Sequence, residues 1–183
     1  MVSASLVKEL RELTGAGMLD CKKALEECNG SIEEATTWLR EKGISKAAKK
    51  ADRIAAEGLS TAIVEGDKAI ILEINCETDF VAKNEKFQKF LNDVAATILA
   101  SDAKTMEEAL SLTCEAGTLA DYVTNMTATI GEKISFRRFT LLTKEADENF
   151  GAYIHMGGKI SVLTLVKGAS SDVAKDVSMH AAA

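Results

Sequence analysis

The segment Glu73-Ile74-Asn75-Cys76-Glu77-Thr78-Asp79-Phe80-Val81-Ala82-Lys83 sets a carboxylate beside a large aromatic ring on a short polar break. The run before the break, Ala69-Ile70-Ile71-Leu72-Glu73-Ile74, reads as a buried strand, and a helical pattern starts near Asn84. A ring and a charge carried on a strand-to-helix loop form a probe suited to insertion into another surface. The same spacing also accommodates a plainer arrangement, with Phe80 tucked under the next helix and Asp79 serving only as its cap.

Covalent chemistry has less support. Gly158-Lys159 resembles the end of a phosphate-binding loop, but Tyr153 stands at the first glycine position and Ile160 replaces the Ser/Thr. No Gly-x-Ser-x-Gly elbow occurs, and Cys76 has no sequence signal of a partnered base. The four cysteines, at 21, 28, 76 and 114, form no Cys-x-x-Cys pair, and the only histidines are His155 and His180. No three of these group at zinc spacing, so neither a metal nor a cofactor is expected. Cys21 and Cys28 are two turns apart on one helix face and read as small apolar packing residues. Tyr153 and His155 read as a surface or partner-contacting pair on a strand. The reading is a binding protein without catalytic chemistry of its own.

Composition narrows the partners. With 183 residues, 46% of them hydrophobic, the chain can bury a sizeable core in one or two domains. The net charge of −6 argues against general nucleic-acid binding. Residues 1–55 carry ten Lys/Arg against nine Asp/Glu, and the rest carries twelve against nineteen. Lys46, Lys49, Lys50 and Arg53 form the one basic cluster, and at helical spacing such a run is usually a solvated face. No apolar stretch of signal-peptide or membrane-spanning type occurs, so no membrane association is expected and the expected location is the cytoplasm, with reduced thiols.

The elements that must position the probe follow from periodicity and turn chemistry. Residues 5–43 read as three short helices, broken at Gly15-Ala16-Gly17 and Asn29-Gly30. Leu6, Val7, Leu10 and Leu13 share a face of the first, while Ser31 with Glu34 makes a capping box for the third, which Gly43 closes. Residues 44–56 read as a helical connector. Two strands around Gly66-Asp67 then make a hairpin, and Phe87, Phe90, Leu91, Val94 and Ile98 lie on one face of the helix that follows. Thr105 with Glu108 opens a short helix, another spans about 119–129, and a third strand covers 133–142. A second hairpin over 151–166 and a helix-like tail repeat the strand-turn-strand-helix order. In this second copy Lys167-Gly168-Ala169-Ser170-Ser171 stands where the first has Thr-Asp-Phe-Val, so a plain connection does not require the aromatic. The fold class is α+β: a three-helix unit resembling ubiquitin-associated domains, then a core of antiparallel sheet and helices with a partial second repeat. The expected domains are 1–55 for docking, 56–142 for the first core subdomain with the Thr-Asp-Phe-Val loop, and 143–183 for an incomplete second one.

Two long motifs carry a family resemblance. Leu10-Arg11-Glu12-Leu13-Thr14-Gly15-Ala16-Gly17-Met18-Leu19-Asp20-Cys21-Lys22-Lys23-Ala24-Leu25 and the segment around Thr78-Asp79-Phe80-Val81 are similar to the two signatures of the elongation factor Ts family, in its order and approximate spacing. The similarity runs from about Ser5 to the last residue. It implies a guanine-nucleotide exchange factor that binds elongation factor Tu, GDP-bound and nucleotide-free. In the family the Asp and Phe of this loop insert between helices of the partner's GTPase domain, displacing Mg²⁺ and loosening GDP. Carried over, Phe80 is the wedge, Asp79 contacts the partner, and Thr78 and Val81 shape the loop. Ile130 and Gly131, in the matching Ile-Gly-Glu segment, would lie beside Phe80. Arg11, Met18 and Leu19 would dock on the GTPase domain, with simple core packing the alternative for Met18 and Leu19. Tyr153-Ile154-His155 matches the family's Tyr-x-His, so His155 would face a more distant partner domain. Long members continue past this point, which implies a fragment or a shortened form, with a homodimer one way to fill the missing part. The rival reading is a ubiquitin-associated-like adaptor without exchange activity.

Overall fold

The structure, a computed structural model, describes residues 2–183. Three helices come first: α1 (Ala4–Thr14), α2 (Met18–Glu27) and α3 (Ile32–Ala48). The hairpin β1 (Glu57–Glu65) and β2 (Lys68–Cys76) leads through one helical turn, α4 (Asp79–Ala82), into α5 (Glu85–Leu99) and α6 (Met106–Ser111). A two-residue ladder, β3 (Thr113–Cys114) and β4 (Gly117–Thr118), precedes α7 (Leu119–Ile130) and β5 (Ser135–Thr143). The chain closes with the hairpin β6 (Glu148–His155) and β7 (Ile160–Lys167), joined by a 3-10 turn, and with α8 (Ser171–Ala182). The α+β layout read from the sequence is the one observed. The described residues up to Arg53, with Val123–Lys133, form one unit; Ile54–Tyr122 and Ile134–Ala183 form the other.

In the helical unit Ser3 Oγ accepts the Leu6 N–H at 3.3 Å to start α1, and the Gly15 N–H returns to the Arg11 carbonyl to end it. Leu10, Cys21, Ala24, Leu25, Cys28 and Ala35 make its core, flanked by Leu6, Val7, Ile32, Trp38 and Leu39. Leu13 departs from the expected buried face and is exposed. At α3 the Ser31 half of the expected capping box is formed, while the Ser31 N–H goes to the Cys28 carbonyl at 2.9 Å. Nor does α3 close at Gly43. That residue is buried, and a Cβ on it would stand 3.4 Å from Ala128 Cβ, so glycine serves close helix packing here instead of a stop. The helix ends five residues later, so the expected helical connector over 44–56 is helical to Ala48 and gives way to turns from 49 to 52; Lys133 Nζ takes the Ala51 and Arg53 carbonyls at 2.6 and 2.9 Å. Asp20 pairs with Lys46 (2.8 Å) and Lys42 (3.5 Å), tying α2 to α3, so Lys46 is not simply a solvated cation.

In the second unit β1, β2 and β5 form an antiparallel sheet with β2 in the middle. Alternation along β2 buries Ile70, Leu72 and Ile74, and α5 packs on this hairpin through Phe87, Phe90, Leu91, Val94 and Ile98, the face read from the sequence. Tyr122 Oη donates to Asp93 Oδ2 at 2.8 Å and its ring meets Phe90 edge-on at 4.6 Å. Burial, then that carboxylate, push the Tyr122 phenol far above its ordinary range. The expected capping box of Thr105 and Glu108 is complete. The β2–β5 register shifts between Glu73 and Ile74, which face Arg138 and Phe136. Arg137 is thus the extra residue of a bulge, and both Arg137 and Arg138 reach the Glu73 carboxylate, at 3.8 and 2.7 Å. The β6–β7–α8 segment repeats the order of the first hairpin and helix. A Cβ on Gly151 would fall 2.1 Å from the Ala174 carbonyl oxygen, so α8 lies directly on β6. Thr164 Oγ1 donates to that same carbonyl at 2.9 Å.

Candidate functional site

The probe segment is one rigid turn of helix, where the sequence suggested a loop. Thr78 is extended, and its Oγ1 accepts the Val81 N–H at 3.4 Å; the Ala82 and Lys83 N–H groups return to the Thr78 and Asp79 carbonyls. Asn84 closes the turn through its N–H to the Val81 carbonyl at 2.9 Å, and caps α5 through Oδ1 on the Lys86 N–H at 2.8 Å. Upstream, the Cys76 thiol donates to the Thr78 carbonyl at 3.1 Å from a fully buried position at the end of β2. Four residues are thus fastened at both ends.

Helical geometry then decides which side chain faces out. Residues two apart on a helix point roughly 200° apart. Ala82 is buried at 1% exposure, and Phe80 stands 80% exposed on the opposite side. The arrangement with Phe80 tucked under α5 is therefore not the one adopted. Asp79, at the positive end of the turn, receives Lys83 Nζ at 2.8 Å, and this hydrogen bond holds its carboxyl below the usual aspartate range. Val81 is half-buried between these two roles. The sequence carries the signal for the Lys83 clasp, an Asp-to-Lys pair at i,i+4.

The other candidates lie on the two units as follows. In the helical unit Met18 and Leu19 are 61% and 84% exposed, Leu13 is exposed beside them in sequence, and Arg11 is exposed on α1. Together they form a bare apolar corner with a cation, at the α1–α2 turn. Ile130 is half-buried at the end of α7 and Gly131 is exposed in a left-handed conformation. In the second unit His155 is exposed, and its Nδ1 lies 3.1 Å from Tyr153 Oη. Cys21 and Cys28 sit in the helical core, where burial pushes both thiols up. Among the described residues no three His, Cys, Asp or Glu are placed to hold a metal ion. Nor is any helix long and apolar enough to cross a membrane.

A family model, elongation factor TS, matches residues 77–183, a span that begins one residue before Thr78. The chain belongs to the elongation factor Ts family. It is also 56% identical over 180 residues to an elongation factor Ts of Acholeplasma laidlawii (strain PG-8A). That similarity covers 98% of this chain and 61% of the relative, so the chain spans about three-fifths of the relative's length. The motif at Leu10–Leu25 falls outside the family-model match, but with 98% of the chain aligned, the relative covers it in large part or whole.

Proposed function

We propose that this chain binds elongation factor Tu, in GDP-bound and nucleotide-free forms, and promotes GDP release by pressing Phe80 into the GTPase domain. The observation that carries this reading is the exposed Phe80 ring on a turn fastened at both ends. A bare aromatic costs solubility and gives little to the fold; rigid presentation lowers the entropy lost when it inserts. A GTPase holds its nucleotide largely through phosphate and Mg²⁺ contacts. A partner speeds release by stabilising the state in which those contacts are distorted, so the chain and GDP weaken each other's binding by one common factor.

Asp79 serves this insertion by offering its carboxylate to a group on the partner while its Oδ2 keeps the Lys83 clasp. Thr78 and Val81 fix the turn. Arg11, Met18 and Leu19 supply a separate docking contact, Ile130 and Gly131 are further partner-binding residues, and His155 reaches a further part of the partner. The protein performs no covalent chemistry in this scheme and acts in the cytoplasm, where its partner works.

Release of a fluorescent GDP from elongation factor Tu, at fixed Mg²⁺, tests the reading. Acceleration by the chain that vanishes with Phe80→Ala supports exchange through the wedge. Stable binding without acceleration would instead favour an adaptor that docks through its helical unit.

A further inference from the structure

A line of polar side chains crosses the sheet and ends at the root of the Phe80 turn. It begins with Arg137 and Arg138 on the Glu73 carboxylate. Asn75 Nδ2 donates to Glu73 Oε1 and to the Glu57 carbonyl, each at 3.1 Å. The Glu57 carboxylate accepts Lys159 Nζ at 2.5 Å, a contact across 102 residues of chain. Glu57 is the register partner of Cys76, whose thiol holds the Thr78 carbonyl. Glu57, Glu73, Asn75, Arg138 and Lys159 all line one groove of about 610 Å³.

Lys159 is itself well seated. Gly158 lies so close to β1 that a Cβ would stand 2.6 Å from the Ser60 carbonyl oxygen, and its φ of +101° suits glycine. Ser60 Oγ donates to the Gly158 carbonyl at 3.0 Å and lies 2.8 Å from Ser161 Oγ. From this seat Lys159 also acts electrostatically on Asp79, as Glu57 does on Lys83. Four charges of alternating sign therefore surround the turn's root. Without Lys159, the Glu57 carboxylate would compete with Asp79 for Lys83, and the clasp on the turn would loosen.

We propose that Lys159 is a positioning residue for the Phe80 wedge: from the second hairpin it holds Glu57, and with it the Cys76–Thr78 segment, in the setting that aims the ring outward. This rests on the exchange reading of the same turn. It gives the second hairpin a part in exchange apart from any contact made by His155.

The test compares Lys159→Met and Lys159→Arg in release of fluorescent GDP across a range of chain concentrations. Lys159→Met should lower the maximal rate about two- to fivefold, the range spanned by a partly exposed ion pair, with the half-saturating concentration unchanged. Lys159→Arg should keep the wild-type rate. In the chain alone, Lys159→Met should raise the midpoint of the Asp79 carboxyl titration by carbon-13 NMR and increase the mobility of the Val81 amide. An unchanged maximal rate overturns the proposal, as does equal loss in both variants or a rise in half-saturation alone. If the wild-type chain itself does not accelerate release, the exchange reading fails on its own. The Val81 mobility then decides the positioning role: an increase in Lys159→Met supports it, and no change overturns it.

Discussion

Phe80→Ala separates a wedge from a core residue by arithmetic. Full burial of a Phe side chain is worth about 1.5–3 kcal/mol. The ring is 80% exposed, so only about a fifth of that term belongs to the fold. The cost to stability is then roughly 0.3–0.6 kcal/mol, or about 1–2 °C in melting temperature for a chain of this size. The remainder, roughly 1.2–2.4 kcal/mol, becomes available only when a partner covers the ring and corresponds to about eight- to sixtyfold. The expected outcome is a fall of that size in GDP release from elongation factor Tu at a subsaturating chain concentration, with the melting curve almost unmoved. Stopped-flow fluorescence and a circular dichroism melt supply the two numbers. A variant that releases GDP at the wild-type rate would refute the wedge. A variant that melts more than roughly 6 °C lower would show that the ring supports the fold.

Three other outcomes follow from the geometry. Gly151→Ala forces a Cβ against the Ala174 carbonyl, a backbone atom that cannot rotate away, so α8 should detach or shift. Hydrogen exchange would show lost protection in α8 and little change in α5. Asp20→Asn removes the carboxylate that Lys46, chiefly by hydrogen bonding, holds below the usual aspartate range. Because the folded value lies below the unfolded one, this stabilisation is full above about pH 5 and is lost as pH falls through the folded value. The variant should lose roughly 0.5–1 kcal/mol at pH 7 and show a flatter acid dependence of melting than the wild type. Leu19→Ala, at an 84% exposed position, should leave melting unchanged and weaken binding to elongation factor Tu at least threefold by titration calorimetry.

Much of this architecture was legible because it rests on long periodic runs. The α5 face, with five large apolar residues in register, and the β2 alternation leave little choice of element. The places that differed are short or depend on contacts remote in sequence. Four residues of α4 are too few to show a helical period, although Thr78 three residues before Val81 is a cap signal in retrospect. Gly43 carries the mark of a helix stop, and only the approach of Ala128 explains why the helix runs on. Leu13 fits an apolar stripe by spacing, yet the α1–α2 turn leaves no neighbour to cover it. The Glu57–Lys159 pair has no local signal, since its members are 102 residues apart. For Phe80 the sequence left two arrangements open, and the burial of Ala82 selects between them.

The helical unit is interrupted in the chain: its first part ends at Arg53, and its last part does not begin until Val123. During synthesis the ribosome must add 80 residues after Arg53 before that last segment is complete at Lys133, about 4–16 s at ordinary rates of elongation. Three short helices of this size are marginal by themselves. Through that interval Gly43 lacks Ala128, and the carbonyls of Ala51 and Arg53 lack Lys133. The amino-terminal helices thus wait, half-built and with their apolar corner bare, for a strap made later. A nascent chain stalled between these points should be cleaved by protease near residues 44–53, and one that has passed Lys133 should resist.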